Sequence, residues 1–252
     1  MTVCVVFLGT AGCGKSSLTA AYGSWLERNL EAEVCYVNLD QGADYIPYKP
    51  DYDVRSLITV EELMRKERLG PNGALVKAAE LMAKHADEIA SKIAQLQGEF
   101  ILVDTPGQME IFVFRSAGPT IVEKLKQYFR VVGVFIVDPE LYEHPANLIV
   151  SQLLAVTVQL RLNAPCIFIA GKADLKAGKK IKESLKDMQL LKRAILEKAE
   201  GAIVDLALMA GDIVERLLQA SRVVSVSALT GEGMEDLHDL LHEAFCVCGD
   251  LT

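Results

Sequence analysis

Positive charge is in short supply. Twenty-six Lys and Arg stand against 34 Asp and Glu, a net charge of -8, and the pI is about 5.1. A protein whose main task is gripping a nucleic-acid backbone carries the opposite balance, so no direct nucleic-acid partner is expected. The one local concentration of basic residues, Lys176-Ala177-Gly178-Lys179-Lys180-Ile181-Lys182, reads as a solvated loop and helix start. No apolar run reaches the ~20 residues needed to cross a bilayer. The densest, Leu148 to Leu160, is interrupted by Ser, Gln and Thr and reads as a buried helix or subunit contact, so no membrane partner is expected. A basic n-region and a cleavage site are missing ahead of Val3, so no secretory signal is expected. The six cysteines do not suggest a disulfide framework, because Cys4, Cys35 and Cys166 fall in predicted strands and Cys13 in a glycine-rich turn. A reducing, cytoplasmic location is the expectation.

What is present is apolar mass. Hydrophobic residues make up 51% of 252 positions, with mean hydropathy +0.24. That is enough for the core of one large α/β domain, and the surplus hints at a second apolar surface. The stretch Gly9-Thr10-Ala11-Gly12-Cys13-Gly14-Lys15-Ser16 lies between the apolar run Val3–Leu8 and a helix predicted over Ser17–Leu30. A buried strand, a glycine-rich turn and a helix start in that order match the phosphate-binding P-loop. The glycines let backbone N–H groups converge on phosphate oxygens, the helix end adds its dipole, and Lys15 adds a point charge. Ser16 is then the hydroxyl expected on Mg²⁺, with Ser17 beginning the helix behind it.

A strand over Glu33–Leu39 completes a βαβ unit and delivers Asp40 at its carboxyl end, where ligands of open α/β sheets collect. Residues Asp40 to Asp53, with Pro47, Pro50 and three tyrosines, read as an extended loop in the position of a nucleotide-sensing switch. A helix over Val60–Arg68 closes at Leu69-Gly70-Pro71-Asn72-Gly73, and another spans Ala74–Leu96. Asp51, Asp53, Glu61 and Glu62 read as surface charge. A strand over Phe100–Val103 then presents Asp104-Thr105-Pro106-Gly107-Gln108, placing Asp104 where a Walker-B carboxylate holds Mg²⁺ through water and Gly107 where a backbone N–H senses a γ-phosphate. Strands over Arg130–Val137 and Cys166–Ala170 flank a helix at Asn147–Leu162. After the second comes Gly171-Lys172-Ala173-Asp174, with the physics of a guanine reader. A carboxylate at Asp174 accepts from guanine N1–H and N2–H₂, whereas adenine offers it a lone pair, and Lys172 lays its stem over the base. Residues 176–220 read as a helical insertion. Strand Arg222–Val226 leads to Ser227-Ala228, placed to offer a backbone N–H to the base carbonyl, and helix Met234–Phe245 closes the chain. His238, His242, Cys246 and Cys248 could form a zinc set by spacing. The histidines flank an apolar stripe and the cysteines are C-x-C, which makes packing the default.

With these motifs placed, the chain resembles a P-loop GTPase. Gly70-Pro71-Asn72, between the second strand and the Walker-B strand, and Asp104-Thr105-Pro106-Gly107-Gln108-Met109-Glu110 make it similar to the GPN-loop GTPases, in particular archaeal-type members, over essentially its whole length. The resemblance implies a three-layer α/β P-loop fold: a mainly parallel central sheet, helices on both faces and a helical insertion. All of 1–252 forms one domain, with the GPN segment at about 68–75. It implies GTP/GDP and Mg²⁺ as ligands, with Ser16, Asp40 and Asp104 at the metal and Asp40, Gln108 and Glu110 positioning the attacking water. It also implies a homodimer in which Asn72 reaches the partner's phosphates in trans. A protein client, RNA polymerase or another assembly, follows from eukaryotic relatives. Gly171 stands where many GTPases have Asn and Leu229 where Lys often follows Ser-Ala, which implies weaker base selectivity. Two other functions fit the P-loop: a phosphotransferase using Lys176–Lys192 as a lid, and a nucleotide-gated scaffold with little turnover.

Overall fold

The computed structural model describes residues 2–198, 201–218 and 223–247. Its centre is β1 (Val3–Leu8), an unbroken apolar run as expected of a strand covered on both faces. Alternate side chains go to opposite layers: Cys4, Val6 and Leu8 join one core, Val5 and Phe7 the other. Around it lie β2 (Val34–Asn38), β3 (Tyr52–Asp53), β4 (Phe100–Asp104), β5 (Arg130–Val137), β6 (Cys166–Ala170) and β7 (Val224–Ser225). They form one seven-stranded sheet of order β3-β2-β4-β1-β5-β6-β7, with every neighbouring pair parallel. All carboxyl ends therefore face one edge, and the loops leaving them share it.

One face is covered by α1 (Lys15–Asn29) and α11 (Met234–Val247) through Leu18, Tyr22, Leu26, Leu237 and Leu241. The other carries α2 (Val60–Glu67), α3 (Pro71–Lys84), α4 (Ala86–Ala94), α5 (Met109–Phe114), α6 (Ala117–Leu125) and α7 (Ala146–Leu162). The expected three layers are observed. The segment read as an insertion is α8 (Lys176–Lys186), α9 (Met188–Lys198) and α10 (Ala202–Leu218). Lys192 joins α9 to α10 by ion pairs to Asp212 (2.7 Å) and Glu215 (2.9 Å).

Several boundaries move. The helix read as Ala74–Leu96 begins at Pro71, capped by Gly70, and breaks at His85. Pro suits a first helical position because its missing N–H would have no partner there. At the break, His85 turns out of helical geometry while Asp87 and Glu88 supply acidic residues to the first turn of α4. The loop after β2 ends in the two-residue strand β3, α5 starts within the Asp104–Glu110 motif, and α6 fills the stretch beyond it, where the sequence reading predicts no element. Leu148–Leu160 lies on a helix covered on one side, with Leu148, Ile149, Ala155 and Val158 buried and only Val150 and Leu160 as strongly exposed large apolar side chains. A larger set of exposed apolar side chains lies on α10: Ile203, Leu206, Met209, Ile213 and Leu217 are each more than half exposed. Among the described residues no helix is long and apolar enough to cross a membrane.

Candidate nucleotide site

The P-loop takes its shape from three positive-φ glycines: Gly9 (φ 146°), Gly12 (φ 80°) and Gly14 (φ 98°). At Gly9 a Cβ would also lie 2.6 Å from the Ile136 carbonyl oxygen, so no side chain fits. Gly14 caps α1, leaving the first N–H groups of the helix aimed at the turn. Lys15 is buried, and its Nζ donates to Gly9 O (2.9 Å) and Thr10 O (3.1 Å), curling the ammonium back over the turn. Ala11 and Gly12 are exposed, Thr10 and Ser16 half-buried, and Ser17 exposed. Cys13 is buried with its Sγ 4.0 Å from Lys15 Nζ, and burial pushes its thiol pKa up, so it is no thiolate.

Asp104 ends β4 beside the P-loop strand and is fully buried. Its Oδ2 accepts from Tyr48 Oη (3.0 Å), while Oδ1 has no protein partner. Burial raises its pKa to about 6, against the pull of the Ser16 and Tyr48 hydroxyls. A buried carboxylate oxygen without a donor, next to a P-loop serine, suits a hydrated divalent cation, so the residues present fit Mg²⁺. Neighbouring Thr105 donates to Phe7 O (2.6 Å), tying the tips of β4 and β1 together.

Asp40 is engaged at both oxygens by backbone donors, Gly42 N (2.9 Å) and Gly107 N (3.0 Å). The Gly107 N–H assigned to a γ-phosphate is thus held by Asp40 here. Gln108 and Glu110 are exposed at the start of α5. Asn72 is exposed on the first turn of α3, and among the described residues no hydrogen bond joins it to its own P-loop. Its neighbour Leu75 packs near Gly42, which places the GPN turn by the Asp40 loop.

At the other end of the site, Lys172 (φ 50°) pairs with Asp138 at the tip of β5 (2.7 Å). Asp174 Oδ1 accepts from the buried Ser227 Oγ at 2.5 Å, which aims an otherwise exposed carboxylate. Ser227 Oγ in turn accepts from Leu229 N (3.3 Å) and Thr230 N (3.2 Å). A cavity of about 420 Å³ joins the two ends and is lined by Cys13, Gly14, Ser17, Lys172, Asp174 and Ala228 among others. Six residues chosen for nucleotide contact thus share one hollow of ligand size. Gly171 closes its inner wall, where a Cβ would come 2.9 Å from Ile136 Cγ2 and 3.3 Å from Cys13 O.

The sequence reading missed the network that holds the 40–53 loop. Asn38 Nδ2 donates to Asp53 Oδ1 (2.9 Å), and the Arg55 guanidinium binds Asp53 (2.6 Å) and Ala43 O (2.8 Å). Burial works against the Asp53 anion, but hydrogen bonds from Arg55 and Asn38 outweigh it and hold the carboxyl below its usual range. Asp51 accepts from Tyr36 N (2.8 Å). Asp51 and Asp53 are anchors, not idle surface charge. Only the alternation of Asp53 and Arg55 hinted at this. His238 shares a hydrogen bond with Tyr22 (3.0 Å) and packs against Trp25 and Phe100. Burial lowers its pKa. It is a packing residue; the Cys246 side chain and Cys248 lie outside the described residues, and among these no cluster could hold a metal ion.

Comparison with known proteins adds independent findings. Residues 7–247 match a family model described as "Conserved hypothetical ATP binding protein". The chain is 39% identical over 254 residues to GPN-loop GTPase PAB0955 of Pyrococcus abyssi, covering 98% of this chain and 99% of that one. It is 28% identical to GPN-loop GTPase 1 of Saccharomyces cerevisiae, covering 92% of this chain but 63% of that longer protein. The crystal structure of PAB0955, titled a GTPase in apo form, superposes with a TM-score of 0.83 at 38% identity over 98% of both chains. With Gly70-Pro71-Asn72 heading α3 beside the Asp40 loop and 39% identity over 98% of its length to the Pyrococcus abyssi protein, this chain belongs to the GPN-loop GTPase family.

Proposed function

We propose that this protein is a cytoplasmic, Mg²⁺-dependent GTP-binding and GTP-hydrolysing switch that works as a homodimer. The observation that carries the reading is the cavity running from the P-loop to Asp174, whose carboxylate is aimed by Ser227. A carboxylate there accepts the paired donors of guanine and repels adenine N1, which favours GTP over the ATP named in the family description.

Phosphate oxygens are stronger acceptors for the Lys15 ammonium than the two carbonyls it now holds. Ser16 and Asp104 would hold Mg²⁺, which when bound neutralises charge on the β- and γ-phosphates. The γ-phosphate takes the place of Asp40 at Gly107 N–H, and the Asp40 oxygen so released, with Gln108 and Glu110, orients a water for in-line attack. The attack breaks the bond between γ-phosphorus and the bridging oxygen, leaving GDP and phosphate. Asn72, exposed and unattached to its own P-loop, completes the partner subunit's site. It is neutral, so it orients rather than discharges. A role in assembling a protein client rests on family membership alone.

Phosphate release from GTP with no acceptor present tests the reading; turnover only on adding an acceptor would indicate a phosphotransferase, and binding without release a scaffold. Asp174→Asn is expected to move preference from guanine to xanthine nucleotides by about tenfold or more in competition calorimetry. An unchanged preference removes Asp174 from the base site. Asn72→Ala is expected to slow hydrolysis about tenfold at constant GDP affinity; equal loss of both would count against action in trans.

A further inference from the structure

The loop after β2 touches the site at two side chains. One is Asp40, whose oxygens both accept backbone N–H groups. The other is Tyr48, whose hydroxyl donates to Asp104 Oδ2 at 3.0 Å across 56 residues of sequence. The Tyr48 ring is held independently, stacked on Tyr36 with centroids 5.4 Å apart and planes 22° apart. The rest of the loop hangs on β2 and β3 through hydrogen bonds of the Arg55, Asp51 and Asn38 side chains, none of which goes to the Asp104 carboxylate, although Asn38 is its backbone register partner. Tyr48 is thus the loop's sole hydrogen bond to the Walker-B carboxylate among the described residues, a group sealed from water whose other nearby hydroxyl, that of Ser16, belongs to the P-loop.

We infer that Tyr48 is a positioning residue for the cation: its hydroxyl stands in for the metal's water ligand on Asp104, and cation binding displaces it, freeing the loop. This rests on the reading of Asp104 as the metal carboxylate. A buried carboxylate needs a donor in every state. With the cation bound, water on the metal donates to it. Without the cation, Tyr48 does, and the loop is drawn over the phosphate end of the site. The device keeps Asp104 Oδ2 supplied with a donor and ties the position of residues 40–53 to the metal. Pro47, next in sequence, lines a second cavity of about 510 Å³ together with Trp25, the only tryptophan of the chain, so loop release reaches a natural fluorophore.

Tyr48→Phe removes the hydroxyl and keeps the stacked ring, so folding is not at stake. The full-length protein with saturating GDP is titrated with Mn²⁺ as a stand-in for Mg²⁺, and free Mn²⁺ is read by electron paramagnetic resonance. Losing a hydrogen bond to a buried charge raises the energy of the metal-free state alone, so Tyr48→Phe is expected to bind Mn²⁺ about tenfold more tightly than wild type. In wild type, adding Mn²⁺ shifts Trp25 emission; in Tyr48→Phe the shifted emission is already present before metal. Equal or weaker Mn²⁺ affinity, or unshifted emission in the metal-free variant, overturns the inference. Asp104→Asn separates the two levels. If it keeps wild-type Mn²⁺ affinity, the assignment of Asp104 to the cation fails; if it loses that affinity while Tyr48→Phe behaves as wild type, only the Tyr48 device fails.

Discussion

The P-loop and the 40–53 loop leave the same edge of the sheet, one from β1 and the other from β2, yet they are held by different chemistry. Residues 9–16 are shaped by backbone: three positive-φ glycines and a lysine folded back onto carbonyl oxygens. Residues 40–53 are shaped by side chains: Asn38, Asp53 and Arg55 on the sheet side, Tyr48 and Asp40 on the site side. A backbone cradle has one low-energy form, because its donors cannot be reassigned without breaking φ/ψ preferences. A loop hung on side-chain hydrogen bonds, each worth ~1 kcal/mol net, can exchange partners when a ligand offers better ones. The first therefore suits a part that must present a fixed pattern to phosphate, the second a part that must respond to it.

Methyl groups separate the two designs most sharply. Gly9→Ala forces a Cβ to 2.6 Å from Ile136 O at φ +146°, so a loss of about 3 kcal/mol in urea unfolding and failure to bind GTP are expected. Gly12→Ala meets open space at φ +80° and is expected to lose only about 1 kcal/mol. Equal losses would mean that φ alone, not crowding, shapes the turn.

Where the two loops meet, Asp104 is expected to weaken the fold it serves. Its folded pKa of about 6 lies above the ordinary value of 3.8, so the folded chain holds this proton more tightly than the unfolded one. The resulting penalty is nil below about pH 4, grows as pH rises, and is complete above about pH 6. Asp104→Asn is then expected to stabilise the nucleotide-free protein by about 2–3 kcal/mol at pH 8, with the gain vanishing by about pH 4. Denaturation curves at both pH values check the sign. The smallest effect belongs to the sheet-side anchor. Arg55→Ala breaks a pair whose side chains are 27% and 24% exposed, for a loss of about 1 kcal/mol after solvent screening, read as faster proteolysis within 41–50 while α1 stays intact.

The same contrast explains what could be read from the sequence. Gly9 to Ser16 is visible because backbone shape is written locally, as glycine spacing between a strand and a helix. β1, β4, β5 and β6 are visible because parallel strands covered on both sides are unbroken apolar runs. Tyr48 was invisible as anything but one of three loop tyrosines, since its partner lies 56 residues away. Asp53 passed for surface charge for the same reason, its role depending on Asn38 across 15 residues. β3 was too short to register, being two residues of edge pairing beyond Pro50. The start of α3 at Pro71 was missed by three residues, although proline's preference for the first helical position is a local signal that could have given it. The break at His85 was harder to see, because apolar spacing continues through it.

Gly171 sets a dimension. With no side chain between them, the segment proposed to read the base lies almost directly on the turn proposed to hold the phosphates, its absent Cβ 3.3 Å from Cys13 O. The two recognition points are spaced by main chain alone, like the jaws of a fixed caliper. A nucleotide with an altered sugar hydroxyl is expected to span that gauge still; one with an extra methylene between ribose and the first phosphorus is expected not to.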